Sequence, residues 1–253
     1  MATMSIGKAW EEAVAFVARE AALLLPVALL FVALPIVLLQ EMTPAALVQW
    51  SSTMKGPMPP VPPSYWLSLT LAILLIWFGS LTLFALALRP GISVAEALRL
   101  ALHRLPVLIG TSVLAGLLLF VALLVVSAPL VMVAGYAGPV IAMVGVGLFI
   151  GTRLALLNPV VIDDNLGVLA SLKRAWALTK GGFWRIFGFL AIVLVLSTIA
   201  GSAAQAVFGV LGGLVAGVDG ARLVGGIASA GVSAVVQVYM LVMLARLYRQ
   251  AAG

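Results

Sequence analysis

Basic and aromatic side chains alternate in one short part of the sequence. This set comprises Lys173, Arg174, Trp176, Lys180, Phe183, Trp184 and Arg185. Lysine and arginine bind phosphate oxygens, and tryptophan is typical of the head-group level of a bilayer. The pattern therefore indicates either a hinge that fixes an amphipathic helix to two membrane spans, or a basic cradle for a phosphorylated head group.

Arg153 lies just before this set, inside an otherwise apolar stretch. An ionisable residue within a span is a candidate functional residue. A position near the end of a span would also let the side chain extend to the interface. We interpret Arg153 as a structural clamp that pairs with Asp163 or Asp164.

Catalytic chemistry has little support in this sequence. There is no cysteine, and His103 is the single histidine, so no histidine cluster can hold a metal. We interpret His103 as a surface or head-group contact. The acidic pair Asp163 and Asp164 could bind a divalent cation, but a charged loop leading into a helix is the better interpretation. No serine-elbow or phosphate-loop motif is present. We therefore predict no catalytic residue, no metal site and no cofactor.

Composition indicates that the solvent of this chain is lipid. Of 253 residues, 64% are apolar and only 9% are charged, and the mean hydropathy is +1.26. A soluble domain is about half apolar and about a quarter charged. The whole chain, 1–253, is therefore predicted to be one membrane domain of the all-α class. The net charge of +6 is explained by basic cytoplasmic loops, so we expect no nucleic-acid partner.

Six segments are long and apolar enough to span a bilayer as helices. They run near 21–40, 64–88, 106–126, 139–160, 183–203 and 223–247. With the N-terminus inside, twelve basic residues lie on the inner side, and only Lys55 and Arg222 lie outside. This bias predicts that both termini are cytoplasmic.

An amphipathic segment precedes each pair of spans. In the second of these, Val94 and Leu98 lie opposite Glu96 and Arg99. Such segments are typical of helices that lie along the interface. The sequence thus suggests a threefold repeat of interfacial helix plus hairpin, over units 5–88, 92–160 and 166–249.

Glycine and proline mark two further features. Gly209, Gly213 and Gly217 form a ladder of small residues, which suits packing within the chain, a dimer face, or a re-entrant or outer segment over 201–222. Because 183–218 is too long for one straight span, we predict a break near Gly201. The outer loop 41–63 ends in a proline-rich piece that we expect to be extended.

The stretch 153–188 resembles the signature of the glycerophosphoryl diester phosphodiesterase membrane domain family and its stand-alone bacterial relatives. The matching positions are Arg153, Leu156, Pro159, Asp163, Leu172, Arg174, Trp176, Leu178, Thr179, Gly181, Phe183, Trp184, Arg185 and Gly188. Ala175 departs from the pattern, because the family commonly has serine before the tryptophan. In this motif we expect Pro159 to end the fourth span and Asp163 and Asp164 to start the third interfacial helix.

The resemblance implies a bacterial inner-membrane location and a six-span layout. It does not imply phosphodiesterase activity, because the catalytic barrel of fused relatives is not part of these 253 residues. The function we favour is binding, positioning or moving a phospholipid or another amphiphile. The alternatives are a scaffold or assembly factor, or a transporter or channel for a small solute. The expected partners are membrane lipids, with a membrane-protein partner or a second copy of the chain as a further option.

Overall fold

The computed structural model describes residues 5–53, 56–135 and 137–252, and every regular element within them is a helix. Lys55, which we assigned to the outer loop, lies outside these residues. The elements are α1 (Ile6–Ala28), a π-helical turn (Leu29–Ala33), α2 (Leu34–Met42), α3 (Ala45–Thr53), α4 (Pro63–Leu88), α5 (Val94–Ala134), α6 (Ala137–Arg153), α7 (Leu157–Asp163), α8 (Val168–Thr179) and α9 (Phe183–Ala252).

Five helical stretches are long and apolar enough to cross a membrane. They are Ile6–Met42, Pro63–Leu88, Val94–Val133, Ala137–Asp163 and Phe183–Ala252. The predicted all-α class is therefore confirmed for the described residues, and the five stretches are compatible with a multi-pass membrane protein. Apolar side chains on the outside of these helices, such as Val125 and Ile192, are exposed in the isolated chain, as expected for surfaces whose solvent is hydrocarbon.

The break in the last helical stretch is not where the sequence suggested. Within α9 the backbone leaves helical geometry at Ala216 (φ −134°, ψ 23°) and Gly217 (φ 65°, ψ −150°). The predicted break near Gly201 is wrong, because Gly201 continues the helix. Its missing side chain serves close packing instead, since a Cβ there would lie 3.2 Å from the Ser229 hydroxyl oxygen.

The first two amphipathic segments do not end before the spans that follow them. Ile6–Met42 is one continuous helical stretch, and α5 runs on through Pro106. Proline removes one backbone hydrogen bond but is tolerated in membrane helices when neighbouring groups satisfy the freed carbonyl. A capping box begins α5, in which Glu96 N–H donates to Ser93 Oγ at 3.2 Å and Ser93 N–H donates to Glu96 Oε2 at 2.9 Å. Only the third segment, α8, is a separate helix.

The first stretch contains a π-helical turn at Leu29–Ala33. Phe31 in this turn packs edge-on against Phe78 of α4, with ring centroids 5.2 Å apart. A Cβ on the neighbouring Gly79 would lie 2.5 Å from the Phe31 Cβ, so only glycine permits this approach. The π-turn therefore places the Phe31 side chain against Gly79, where α4 has no side chain.

The loop 41–63 is only partly extended. Its first half contains α3, and the Trp50 indole N–H donates to the Gly56 carbonyl at 3.1 Å. The proline-rich piece that follows has no regular hydrogen-bonded structure up to Pro63, where α4 begins.

The chain forms two compact units. Unit 1 comprises the described parts of 1–19, 81–194 and 239–253, and unit 2 comprises those of 20–80 and 195–238. Leu81, Phe84, Leu156, Ile162 and Ile186 are fully buried in unit 1. These units do not coincide with the sequence units 5–88, 92–160 and 166–249, and the threefold repeat stays a prediction.

The backbone at Gly217 gives a test of the break in α9. Its φ and ψ lie in a region that is almost restricted to glycine, so Gly217→Ala should destabilise the protein by about 1–3 kcal/mol. The matched control is Gly145→Ala, because Gly145 is helical and has open space around its Cβ position. Thermal unfolding in detergent should show a lower Tm for the first variant only. Equal melting temperatures would contradict the assignment of the break.

Candidate functional site

Three aromatic rings in unit 1 surround the guanidinium of Arg153. Its Cζ lies 5.5 Å from the ring centroid of Phe149, 5.4 Å from that of Trp176 and 5.2 Å from that of Phe183. These distances are within the range of cation–π attraction. Phe149 precedes Arg153 by one helical turn on α6, Trp176 lies on α8, and Phe183 is the first residue of α9.

The rings leave part of the hydrogen-bonding capacity of Arg153 unused. Its Nε and Nη1 are buried and have no hydrogen-bond partner among the described residues. Ring faces attract the positive charge but do not replace an oxygen acceptor for an N–H donor. A buried donor without an acceptor is costly, so this guanidinium is suited to an anionic ligand that supplies oxygen atoms.

A cavity of about 720 Å³ lies against this guanidinium. Its lining combines cations, aromatic rings and glycines, and no acidic residue lines it in the part of the chain that the structure describes. The lining residues are Gly145, Leu148, Phe149, Arg153, Lys180, Gly181, Gly182, Phe183, Trp184, Arg185 and Phe187. We call this the Arg153 cavity. Three positive charges without a lining carboxylate make it complementary to an anion.

A hydroxyl group ties together the elements that form this cavity. The hydroxyl oxygen of Thr179, buried at the end of α8, lies 3.0 Å from the Arg153 carbonyl oxygen, and the carbonyl oxygens of Trp176 and Ala175 in its own helix lie at 3.1 Å and 3.2 Å. That carbonyl is at the C-terminal end of α6, where carbonyls lack helical partners. Arg153 is also in the last turn of α6, where the helix dipole favours a cation. The contact therefore brings the end of α8 against the end of α6 that carries Arg153.

The acidic pair belongs to a different cluster of unit 1. The Tyr248 hydroxyl lies 2.5 Å from Asp164 Oδ1 and 3.1 Å from Asp163 Oδ2. The Arg174 Nε donates to Asp164 Oδ2 at 3.2 Å. The predicted pairing of Arg153 with Asp163 or Asp164 is therefore wrong. Both carboxylates are already used by Tyr248 and Arg174, which leaves Arg153 to the aromatic rings.

The motif residues also sit differently in the helices than the sequence suggested. The fourth apolar stretch, Ala137–Asp163, does not end at Pro159 but continues to Asp163, and Pro159 is buried within α7, the second of its two helices. Asp163 ends α7 and Asp164 is its C-cap, so neither begins α8, whose N-cap is Gly167. Among the described residues no group of three or more His, Cys, Asp or Glu could hold a metal ion.

Other predicted positions lie away from the Arg153 cavity. Lys173 is exposed on α8, and His103 is exposed on α5. Gly209 and Gly213 in unit 2 approach Ala221 of the same chain, where an added Cβ would lie 3.3 Å from its nearest neighbour. Of the alternatives for the glycine ladder, this contact favours packing within the chain.

Sequence reasoning missed several contributors to these two clusters. Phe149 and Phe187 line the Arg153 cavity, yet each looks like an ordinary apolar residue of a span. The spacing of Phe149 one turn before Arg153 is the signal that could have found it. Tyr248 had no such signal, because its partners are distant in sequence.

The chain matches no protein-family model, no curated protein and no solved structure. The resemblance of 153–188 to a family signature therefore stays an expectation from the sequence.

The contact between Tyr248 and the two aspartates predicts a loss of stability on removing the hydroxyl. Tyr248→Phe leaves two carboxylates without this donor and should lower the free energy of unfolding by about 1–3 kcal/mol. Tyr239→Phe is the matched control, because the Tyr239 ring packs against Trp10 with centroids 5.9 Å apart and keeps that contact. Denaturation in detergent compares the two variants, and an equal effect would contradict the role of the Tyr248 hydroxyl.

Proposed function

We propose that this protein is a non-enzymatic, multi-pass protein of the bacterial cytoplasmic (inner) membrane that binds, positions or moves a phospholipid or another anionic amphiphile. The observation that carries the proposal is the Arg153 cavity, which joins unpaired guanidinium donors to aromatic walls. The sequence offered the same function as a hypothesis for a wider set of residues, of which Arg153, Lys180, Trp184 and Arg185 line the cavity and Lys173 and Arg174 do not.

The charges of the cavity support an anionic head group. Arg153, Lys180 and Arg185 all line it, and arginine binds phosphate through parallel N–H donors. Arg174 is less suited to this role, because Asp164 already accepts a hydrogen bond from it. A phosphate oxygen at Arg153 would supply the kind of oxygen acceptor that the aromatic rings around the guanidinium do not provide.

The walls of the cavity support a ligand that also has an apolar part. Leu148, Phe149 and Trp184 line it and expose large apolar surfaces. A free phosphate would leave this surface uncovered, whereas an acyl chain would cover it. Head group and chain together match a phospholipid better than a soluble anion.

We further propose six spans with both termini in the cytoplasm, in which α9 supplies two spans that meet at Ala216 and Gly217. The bias of basic residues supports this orientation, and it puts the Arg153 cavity at the cytoplasmic side, where anionic lipids attract cations.

The natural absence of cysteine makes this topology directly testable. We expect Val215→Cys to react with a membrane-impermeant maleimide in intact cells, since it would lie outside and is exposed. Lys173→Cys, exposed on α8, should react only after the cells are permeabilised. The opposite labelling pattern would overturn the orientation.

Lipid retention tests the function. Wild-type protein in nanodiscs of mixed anionic and zwitterionic phospholipids should retain an anionic phospholipid in native mass spectra. The double variant Arg153→Gln with Lys180→Gln should reduce this retention about tenfold or more, because each hydrogen bond to a charged group contributes about 1.5–3 kcal/mol.

The matched control is Lys173→Gln, which removes an exposed charge from α8 that does not line the cavity. It should retain lipid as the wild type does. If wild-type protein enriches no lipid, the proposal is overturned and a scaffold for another membrane protein becomes the better interpretation. An equal loss in the control would show a general effect of charge and not a site.

A further inference from the structure

Unit 2 contains two adjoining cavities with a lining unlike that of the Arg153 cavity. The larger, of about 600 Å³, is lined by Gln40, Glu41, Thr43, Ala45, Val48, Gln49, Gln205, Arg222, Gly226 and Ser229. The smaller, of about 250 Å³, is lined by Ser197, Thr198, Gly201, Ser202, Gln205, Ser229 and Ser233. Because Gln205 and Ser229 line both, we treat the two as one site, the Gln205 cavity.

The two charges of this site neutralise each other. Arg222 Nη2 lies 3.2 Å from Glu41 Oε2, in an ion pair at the wider cavity. No other charged side chain among the described residues lines either cavity. A charged ligand would have to compete with this pair, so an uncharged ligand fits better.

The rest of the polar lining consists of amides and hydroxyls. Each of these groups offers both donors and acceptors of hydrogen bonds. Thr43 bonds back to the Leu39 carbonyl at 2.7 Å, as hydroxyls in helices commonly do. Gln40, Gln49 and Gln205 also line this cavity, and each carries a side-chain amide.

The smaller cavity extends this polar lining into an apolar span. Its hydroxyls come from the two arms of α9, on either side of the break at Gly217. A Cβ at Gly201 would lie 3.2 Å from Ser229 Oγ and 3.5 Å from Ser233 Oγ, so glycine allows these two hydroxyls to approach the first arm of α9 closely. Polar groups within a span are expensive and mark sites or pathways for polar ligands.

We propose that the Gln205 cavity binds an uncharged, polyhydroxylated group, either a free sugar or polyol or the sugar head group of a glycolipid. Sugar hydroxyls both donate and accept hydrogen bonds, which matches amide and hydroxyl side chains. The volume of the larger cavity, about 600 Å³, is within the range of about 300–1,000 Å³ that is typical of small-molecule sites. The inference rests on unit 2 alone and is independent of the Arg153 cavity.

The experiment has one arm for each source of the sugar. In the first, nanodiscs of phosphatidylcholine contain either digalactosyldiacylglycerol or the diacylglycerol without sugar, and native mass spectrometry measures the retained lipid. In the second, saturation-transfer NMR measures maltose binding to the same protein in phosphatidylcholine alone. Binding of the glycolipid alone identifies a head-group site, and binding of maltose identifies a site for a free sugar. Either result supports the proposal.

The variants locate the binding. Gln205→Leu with Ser229→Ala should abolish it, and Ser229→Ala alone should weaken it about fivefold, the effect of one hydrogen bond. The control Ser68→Ala removes a hydroxyl that bonds to its own helix at Ser64 O, outside the cavity, and should bind as the wild type does. Circular dichroism checks that each variant is folded. Binding of neither probe by the wild type, or equal binding by wild type and the Ser229→Ala variant, would overturn the proposal.

Discussion

In a hydrocarbon solvent, every backbone N–H and C=O must find its hydrogen-bond partner inside the protein. This constraint explains why the regular elements of the described chain are all helices, and why α9 departs from helical geometry only at Ala216 and Gly217 over 70 residues. It also makes each polar side chain within a span conspicuous. Backbone groups satisfy one another, so the side-chain donors and acceptors that remain can be assigned to packing, to ion pairs or to a ligand.

Unit 1 contains two polar clusters that are close in sequence, the carboxylate pair Asp163 and Asp164 and the guanidinium of Arg153, and they have different partners. The carboxylates of Asp163 and Asp164 are bonded to Tyr248 and Arg174. Arg153 is consequently held by ring faces, which attract its charge without accepting its protons. If Asp163 or Asp164 had paired with Arg153, the carboxylate would have accepted the guanidinium hydrogen bonds, and the positive charge of the cavity would have been smaller. The aromatic environment preserves both the charge and the free donors.

The sequence predicted the helices well and the tertiary contacts poorly. Hydropathy placed one span at 64–88 and the start of another at 183, and the structure has Pro63–Leu88 and Phe183. The end of α6 at Arg153 was not predictable, because Gly151 lies inside the helix and the contact of the Arg153 carbonyl with Thr179 joins residues 26 positions apart. Composition also could not distinguish Gly201 from Gly217. Gly201 permits the close approach of two helical segments, and Gly217 permits a positive φ. Which glycine has which role depends on the tertiary packing.

The π-helical turn at Leu29–Ala33 has a consequence for chain length. A π-turn contains one residue more than an α-helix uses for a similar rotation, which is how helices accommodate a single inserted residue. In a regular α-helix, losing one residue turns everything beyond it by about 100°. We expect the loss of one residue from the turn to convert it to α-helix with little rotation of α2, which carries Gln40 and Glu41 of the Gln205 cavity. A one-residue deletion should therefore be tolerated better at Leu29–Ala33 than elsewhere in this helical stretch.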